Sequence, residues 1–352
     1  MIGGLEEVSR TEHEYLKKAS ISDNILISIV IPTYKRGRLI IDSLNSIINQ
    51  VKNNNAEVIV LSNDPDDELS FLVEKYKDNK KLSILRNHNN LGMCGNINKC
   101  IDVAHGKYIA YLHDDDMVTP DYLDTILKYI KRFPEVDCFI PMRYVLNSNT
   151  SWGGIRQKKN QIKHIISCAL SPLRIGKKDY YQFRLIDIYR SGRNCFSAPT
   201  CGTVYKKSSL VELGGFNPEW KYAFDFVFYE RFIRKHRAIL IRKPLGIYRM
   251  EESASNKGNV QLEFFKAHKY ALDRNKNISL VRNYYYEYLH LFYMGLSNEA
   301  RKLINSEFGA IMNKWNPFKY GLLRLRTEWF YFTSGIETGK YLSNKRKKEL
   351  GL

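Results

Sequence analysis

Cysteine is scarce in this chain of 352 residues, which contains six, and no two of them form a CxxC pair. Because no Cys or His residues have the spacing of a zinc site, we expect no zinc and reduced, structural thiols, as in a cytosolic protein. The six are Cys94, Cys100, Cys138, Cys168, Cys195 and Cys201.

No run of ~18 apolar residues occurs, so no membrane-spanning helix is predicted. The acidic N-terminus, with Glu6 and Glu7, lacks the basic and then apolar pattern of a signal peptide, and these absences favour a cytoplasmic protein.

Acidic residues are depleted in the second half of the chain only. Residues 1–150 contain 18 Lys and Arg against 21 Asp and Glu, a net charge of −3, whereas residues 151–352 contain 37 against 16, a net charge of +21. The second half therefore accounts for the whole excess of +18 and indicates an anionic partner: a phosphorylated substrate, an anionic membrane or nucleic acid. Hydrophobic residues make up 44% of the chain, which excludes wholesale disorder.

Short apolar runs alternate with helix-length segments from residue 26 onward. Strands are predicted at 27–31, 57–61, 82–85, 107–112 and 136–140, and helices at 39–50, 67–77, 92–104 and 120–132. Alternation of strand and helix at this interval predicts an α/β fold with right-handed crossovers and a mainly parallel sheet.

After residue 146 the pattern becomes less regular. A long polar loop is predicted at 147–163, strands at 200–205, 238–241 and 245–248, and helices at 208–213 and 223–235, before a helical, aromatic region from 260 to the end. We therefore expect an N-terminal extension at 1–25, an α/β domain at 26–259 that divides into 26–146 and 147–259, and a helical C-terminal region at 260–352.

Three polar clusters follow the first, second and fourth predicted strands, at residues 32–34, 62–64 and 113–116. Since ligands bind at the carboxyl ends of parallel strands, we expect these clusters to converge at one edge of the sheet. The cluster of Asp114, Asp115 and Asp116 has the oxygen ligands that suit Mg²⁺ or Mn²⁺. The alternative is that these acidic residues form a turn or begin the next helix.

The residues at these positions resemble glycosyltransferase family 2. The resemblance is carried by segments 29–36, 57–64 and 106–116, continues through 213–216, Phe224-Asp225 and Tyr248-Arg249, and covers residues 26–255. It implies a GT-A fold, which is a Rossmann-like, mostly parallel sheet flanked by helices. It also implies a nucleotide-sugar donor, with a UDP-sugar favoured, and inversion at the anomeric carbon. By the same resemblance, residues 26–259 are expected to be the catalytic domain, with 26–146 binding the nucleotide-sugar and 147–259 on the acceptor side.

The resemblance also implies site residues. Donor contacts are expected at the ends of three strands and at three further positions. They are Pro32, Thr33, Tyr34, Asn63, Asp64, Arg86, Asn98, Asp114, Asp115 and Arg249. The metal, Mn²⁺ or Mg²⁺, is expected at Asp114, Asp115 and Asp116. The register of this motif stays open, because the first family Asp aligns either with His113 or with Asp114.

Asp225 is the candidate catalytic base. Inverting transfer requires a carboxylate that takes the proton of the acceptor hydroxyl as its oxygen attacks the anomeric carbon. The family has an acidic pair where this chain has Phe224 and Asp225. The alternative is a solvated helix residue paired with Lys221 or Arg231.

The basic C-terminal region mixes aromatic and charged residues. Leu322, Leu325, Trp329 and Phe332 recur at helical spacing, and residues 345–348 are all basic. Such a helix either lies on an anionic membrane or packs against the catalytic domain. A membrane site suits a glycosyltransferase with a lipid-linked glycan acceptor in bacterial surface polysaccharide synthesis, such as capsule synthesis. The alternatives are a degenerate module that binds nucleotide-sugar without turnover and, since no nucleic-acid-binding motif occurs, least of all a nucleic-acid-binding protein.

Overall fold

The computed structural model of the protein describes residues 4–20, 24–37, 39–52, 54–66, 69–146, 178–190, 201–249, 257–334, 340–341 and 344–350. The predicted loop at 147–163, Cys168 and Cys195 lie outside these residues.

One sheet contains every strand in the described part of the chain. The strands are β1 (His13–Lys17), β2 (Ile27–Thr33), β3 (Ala56–Ser62), β4 (Leu82–Asn87), β5 (Tyr108–Tyr111), β6 (Met117–Val118), β7 (Cys138–Leu146), β8 (Tyr180–Gln182), β9 (Thr203–Lys206), β10 (Ala238–Arg249) and β11 (Lys340–Tyr341). Along the sheet the order is β1-β4-β3-β2-β5-β9-β7-β10-β6, while β11 pairs with β7 and β8 with β10. Strands β4, β3, β2 and β5 are parallel to one another, as are β7 and β10, so the predicted mainly parallel sheet is confirmed.

Helices cover both faces of this sheet. Those of the first half are α1 (Gly4–Ser9), α2 (Leu39–Ile48), α3 (Ser70–Lys75), α4 (Gly92–Val103) and α5 (Tyr122–Arg132). Those of the second half are α6 (Leu185–Arg190), α7 (Lys207–Glu212), α8 (Phe224–Lys235), α9 (Gly258–Arg274), α10 (Ser279–Asn283), α11 (Tyr285–Tyr293), α12 (Asn298–Met312), α13 (Pro317–Ser334) and α14 (Asn344–Glu349). The C-terminal region is helical, as predicted.

The core lies on the two faces of the sheet because successive side chains of a strand point to opposite sides. In β2, Ile29 and Ile31 pack with α2 and α5, whereas Val30 faces the other layer together with α4, α8 and the C-terminal helices. All seven residues of β3 are buried, as expected for a central parallel strand.

Two expectations differ from the structure. The predicted strands at 238–241 and 245–248 are one strand, β10, because register shifts around Pro244 let it continue through the interruption. Strand β1 pairs antiparallel with β4 inside the segment expected as an N-terminal extension. Its five residues mix polar and apolar types and contain no wholly apolar run, so the sequence signal for a strand was weak.

Candidate active site

The acidic motif forms a tight turn after β5. The main-chain N–H of Asp116 donates to the carbonyl oxygen of His113 at 3.2 Å, which closes the turn. From α2, the hydroxyl of Ser43 donates to the carbonyl oxygen of Asp116 at 2.6 Å. The backbone of the motif is therefore held by both the sheet and the neighbouring helix.

Asp116 is the most buried carboxylate of the motif, with 1% of its surface exposed. Its Oδ1 accepts a hydrogen bond from the main-chain N–H of Arg249 at 3.1 Å. Its buried Oδ2 accepts no ordinary hydrogen bond from the described residues, while the thiol of Cys201, a weak donor, lies beside the carboxylate. Burial, and then the charge of Asp115, raises the pKa of Asp116 to about 7. A buried carboxylate oxygen without a strong partner is the state that a bound cation relieves.

Asp114 points towards the end of β2. The Thr33 hydroxyl and the Tyr34 main-chain N–H hydrogen-bond to its carboxylate, and Arg36 Nε lies 3.8 Å from its Oδ1. Burial raises the pKa of Asp114 to about 6 despite these contacts. Arg36 also contacts Asp115, with Nη2 3.4 Å from Oδ2. The motif is thus neutralised in part by an arginine on the neighbouring strand end.

The side chains that converge as a possible metal site are His113, Asp115 and Asp116. One ligand atom from each lies within 4.8 Å of the other two. The donor set of two carboxylates and one imidazole fits a divalent cation, and burial lowers the pKa of His113, which favours the neutral imidazole that can bind a metal. This cluster corresponds to the register in which His113 aligns with the first family Asp. Asp114, also expected as a ligand, is directed to Thr33 and Arg36.

The strand-end residues expected at the donor do lie at one edge of the sheet. The Asn63 main-chain N–H donates to the carbonyl oxygen of Thr33 at 2.9 Å, which joins the ends of β2 and β3. Lys35 has a left-handed backbone (φ 54°) and its Nζ lies 3.7 Å from Asp64 Oδ2. Pro32 is partly buried, and Tyr34 is exposed. The Lys35 ammonium lies over the Tyr34 ring, 5.4 Å from its centre.

The side chain of Asn63 is used within the fold. Its Nδ2 donates to Asn90 Oδ1 and to the Gly92 carbonyl oxygen, and its Oδ1 accepts from the Leu91 N–H and from Asn87. All these partners lie at the end of β4 or in the turn that begins α4. The Asn63 side chain thus holds the turn before α4 against the end of β3.

Two further residues expected at the donor are also engaged elsewhere. Arg86 pairs with Glu14 of β1, at the far edge of the sheet. Asn98 is fully buried, and its amide donates to the Phe216 carbonyl oxygen and accepts from the Phe216 N–H, both at 2.8 Å. In these contacts the side chains of Arg86 and Asn98 bind other parts of the chain and not the acidic motif.

Arg249, expected from the resemblance to contact the donor diphosphate, contacts the acidic motif in the structure. Its Nε donates to the Asp115 carbonyl oxygen at 3.1 Å, and its Nη2 donates to Asp42 Oδ2 at 3.0 Å. Together with its main-chain bond to Asp116, these contacts tie the end of β10 to the metal-site candidate and to α2. The side chain thus holds the shape of the motif.

Asp225 lies in the first turn of α8 and is partly buried. Its Oδ1 accepts from the Phe226 N–H at 2.7 Å, and burial raises its pKa to about 6, with the charge of Arg143 opposing that rise. In the described part of the chain Asp225 forms no ion pair with Lys221 or Arg231. A carboxylate with a pKa near neutrality and no ion pair to either of these two cations has the properties that a general base needs.

The sequence reasoning missed three residues that contact these groups or act on them electrostatically. Arg143 on β7 acts electrostatically on both Asp116 and Asp225, which places one positive charge near both. Glu263 on α9 accepts hydrogen bonds from the Tyr222 and Ala223 N–H groups at 2.7 and 3.0 Å and so fixes the start of α8. Asp42 holds the Arg249 guanidinium. The single arginine in the otherwise uncharged β7 was a readable signal, whereas Glu263 and Asp42 had none.

Comparisons with known proteins identify relatives of this chain. A family model described as Glycosyl transferase family 2 matches residues 28–213, just over half of the chain. An uncharacterized glycosyltransferase of Methanocaldococcus jannaschii is 30% identical over 129 residues, 36% of this chain and 44% of that protein. The chain thus spans less than half the length of this relative.

A named relative and a solved structure cover more. The UDP-Glc:alpha-D-GlcNAc-diphosphoundecaprenol beta-1,3-glucosyltransferase of Escherichia coli is 25% identical over 207 residues, 54% of this chain and 79% of that protein. The crystal structure of S. aureus TarS 1-349 in complex with UDP-GlcNAc matches with a TM-score of 0.57 at 17% identity, over 88% of this chain and 87% of that one. At this identity the second likeness concerns the fold alone.

Proposed function

Because the chain belongs to glycosyl transferase family 2 and has the GT-A fold, we propose that it moves a sugar from a nucleotide-sugar donor to a hydroxyl of a glycan acceptor, with inversion. The family and the fold class confirm the predictions made from the sequence. The observation that carries the proposal is the convergence of His113, Asp115 and Asp116 at the sheet edge where the polar strand ends meet.

The donor diphosphate is proposed to lie at this edge. His113, Asp115 and Asp116 would hold Mn²⁺ or Mg²⁺ there, and the bound cation would offset the charge that grows on the departing nucleoside diphosphate. Thr33 and Arg36 orient Asp114 and Asp115, and Arg249 holds the turn from the other side. These contacts pre-organise the acidic motif, so that it need not rearrange when the donor binds.

The nucleoside is proposed to lie along the ends of β2 and β3. Pro32, Tyr34 and Asp64 border this edge, and Asp64 is buried beside the Lys35 ammonium. Asn63 and Asn98 act by positioning, since their amides hold the turn before α4 and the segment at Phe216. A UDP-sugar is the proposed donor, a choice supported by the UDP-Glc in the name of the E. coli relative.

Asp225 is the proposed catalytic base. Its carboxylate accepts the proton of the acceptor hydroxyl while that oxygen forms the bond to the anomeric carbon and the nucleoside diphosphate leaves with the electron pair of the broken bond. Burial raises its pKa towards neutrality, which strengthens it as a base compared with an exposed Asp.

The acceptor is proposed to be a lipid-linked glycan of bacterial surface polysaccharide synthesis, reached at the cytoplasmic face of a membrane. The support is the diphosphoundecaprenol acceptor named for the E. coli relative, together with the net charge of +21 in residues 151–352. A pyrophosphate-linked lipid is an anionic substrate that such a charge would attract.

The test is a panel of UDP-, GDP- and dTDP-sugars assayed for nucleoside diphosphate release with Mn²⁺ or Mg²⁺, with and without a membrane extract. We expect release with one donor class, dependence on the cation and on the extract, and loss of release after chelation. Donor binding without release under every condition would instead favour the non-catalytic binding module.

Asp225→Asn tests the base. It should lower release by several orders of magnitude while the dissociation constant of the donor stays unchanged. The matched control is Asp124→Asn, an exposed residue in the first turn of α5, which should leave both quantities unchanged. Retained turnover in Asp225→Asn would contradict the assignment.

A further inference from the structure

Helix α13 has two apolar faces, one of them buried in the core and the other largely exposed. Leu323 and Phe330 are buried in the main core cluster, and Phe330 meets Tyr181 of β8 edge to face. This inward face attaches the helix to the rest of the protein. The sequence alternatives for this helix, packing or membrane contact, therefore concern different sides of it.

The other face is open to solvent. Phe318, Leu325 and Trp329 are 75%, 68% and 66% exposed, and Leu322 is exposed as well. Their spacings of four, three and four residues place all four on one side of an α-helix, about 120° from the buried pair. Large apolar side chains exposed together, rather than singly, mark a site that contacts something.

Basic residues border this open face. Lys319 lies on one side of it and Arg324 on the other, both exposed, while Glu328 is the only acidic residue of the helix. Arg326 is exposed as well, and its guanidinium lies over the Tyr284 ring at 5.2 Å. An apolar stripe between exposed basic side chains is the pattern of a helix that lies in the headgroup region of an anionic bilayer.

Helix α13 connects to the sheet through β11. Six residue steps separate Ser334 from Lys340, so these two residues are at most roughly 22 Å apart. Lys340 pairs with Tyr144 of β7, whose partner in register on the other side is Ile247 of β10. Phe330, by contrast, contacts Tyr181, which pairs with Leu240 near the start of β10.

We propose that Phe318, Leu322, Leu325 and Trp329 form a docking surface for an anionic phospholipid bilayer, with Lys319 and Arg324 contacting the lipid phosphates. None of the described helices is long and apolar enough to cross a membrane, so this contact is parallel to the surface. The proposal deepens the proposed function and rests on it for its purpose, since it would hold the site beside a lipid-linked acceptor. Charge complementarity favours the bilayer over a second copy of this basic chain.

The test is binding of the full chain to phosphatidylcholine vesicles with and without phosphatidylglycerol, measured by co-sedimentation and by the fluorescence of Trp329. We expect binding to the anionic vesicles only and a blue shift that Trp329→Phe removes. The double variant Leu325→Ser/Trp329→Ser should weaken binding about ten-fold or more, because it removes two large apolar contacts. Its thermal unfolding temperature should stay close to that of the wild type, since most of the surface of both side chains is exposed.

Matched controls separate the surface from general effects. Phe71→Ser removes a partly exposed aromatic side chain from α3, and Lys52→Glu reverses an exposed charge elsewhere. Neither should change vesicle binding, whereas Lys319→Glu/Arg324→Glu should weaken it and reduce its dependence on salt.

Three results would overturn the proposal: no binding to anionic vesicles, equal binding by Leu325→Ser/Trp329→Ser, or a dimer in solution that this double variant dissociates. An assay of nucleoside diphosphate release with a detergent-soluble acceptor separates failure of the docking surface from failure of the proposed function. Vesicle binding without release contradicts the proposed function only, and release without vesicle binding contradicts the docking surface only.

Discussion

The main-chain N–H of Arg249 donates to the buried Oδ1 of Asp116 at 3.1 Å, across 133 residues of sequence. This bond joins the end of β10 to the acidic motif, and the Arg249 side chain adds hydrogen bonds to Asp115 and Asp42. The last long strand of the catalytic region therefore takes part in building the site that begins after β5. In the proposed function, this contact positions the carboxylates that would meet the metal and the diphosphate.

Arg249→Lys is expected to lower kcat/KM by roughly ten-fold to a hundred-fold, because a lysine keeps the charge but cannot bond to Asp115 and Asp42 together. The main-chain bond to Asp116 is kept, so the fold should stay stable. Steady-state kinetics and a Mn²⁺ titration provide the measurement, and we expect a higher Mn²⁺ requirement. Arg282→Lys, an exposed residue of α10, is the control, and equal kinetics of the two variants would refute the positioning role.

The pH dependence of turnover should report Asp225. Burial raises its pKa to about 6, so the carboxylate is the base above this pH and is protonated below it. We expect kcat to fall about ten-fold per pH unit below roughly pH 6 and to level off above it. A pH profile of kcat at saturating donor and cation tests this, and a kcat independent of pH through this range would contradict it.

Arg143 offers a second test of the same group. Its charge lowers the pKa of Asp225, so Arg143→Met should move the acidic limb of the kcat profile to higher pH. Arg132→Met, which removes an exposed arginine of α5, should leave the limb in place. A shift of the limb to lower pH would mean that the titrating group is not this carboxylate.

Asn98→Ala should destabilise the protein by about 2–4 kcal/mol, because it leaves the buried N–H and carbonyl oxygen of Phe216 without their partner. Chemical denaturation measures the loss, and Asn283→Ala, at an exposed position of α10, is the control. If Asn98→Ala instead weakened donor binding without a change in the free energy of unfolding, Asn98 would contact the donor directly.

The C-terminal segment should support the edge of the sheet at which we propose that the donor binds. Leu350 packs against Met117 and Ile247, which lie next to Asp116 and two residues before Arg249. Leu350→Ala is expected to lower the free energy of unfolding by about 1 kcal/mol and to raise the KM for the donor. Leu303→Ala, on the exposed side of α12, should change neither, and a donor KM unaffected by Leu350→Ala would show that the segment does not support the site.

Local sequence determined the central strands and the helices between them. Runs rich in β-branched residues, such as 27–31 and 57–61, favour strands in the interior of a parallel sheet, and the apolar spacing in 39–50 is helical. The same reading divided β10 in two, because Arg242, Lys243 and Pro244 interrupt the apolar pattern while the strand continues through bulges. Strand β1 was not predicted, since its pairing with β4 depends on residues far along the chain.

The sequence by itself determined the type of chemistry: which strand ends carry carboxylates, and that a family 2 motif lies there. Only the tertiary structure decided which side chains converge, because neighbouring residues of a tight turn point in different directions. It grouped His113 with Asp115 and Asp116 and directed Asp114 to Thr33 and Arg36. It also separated the covered face of α13 from the open one, since burial depends on what the rest of the chain places against each side of a helix.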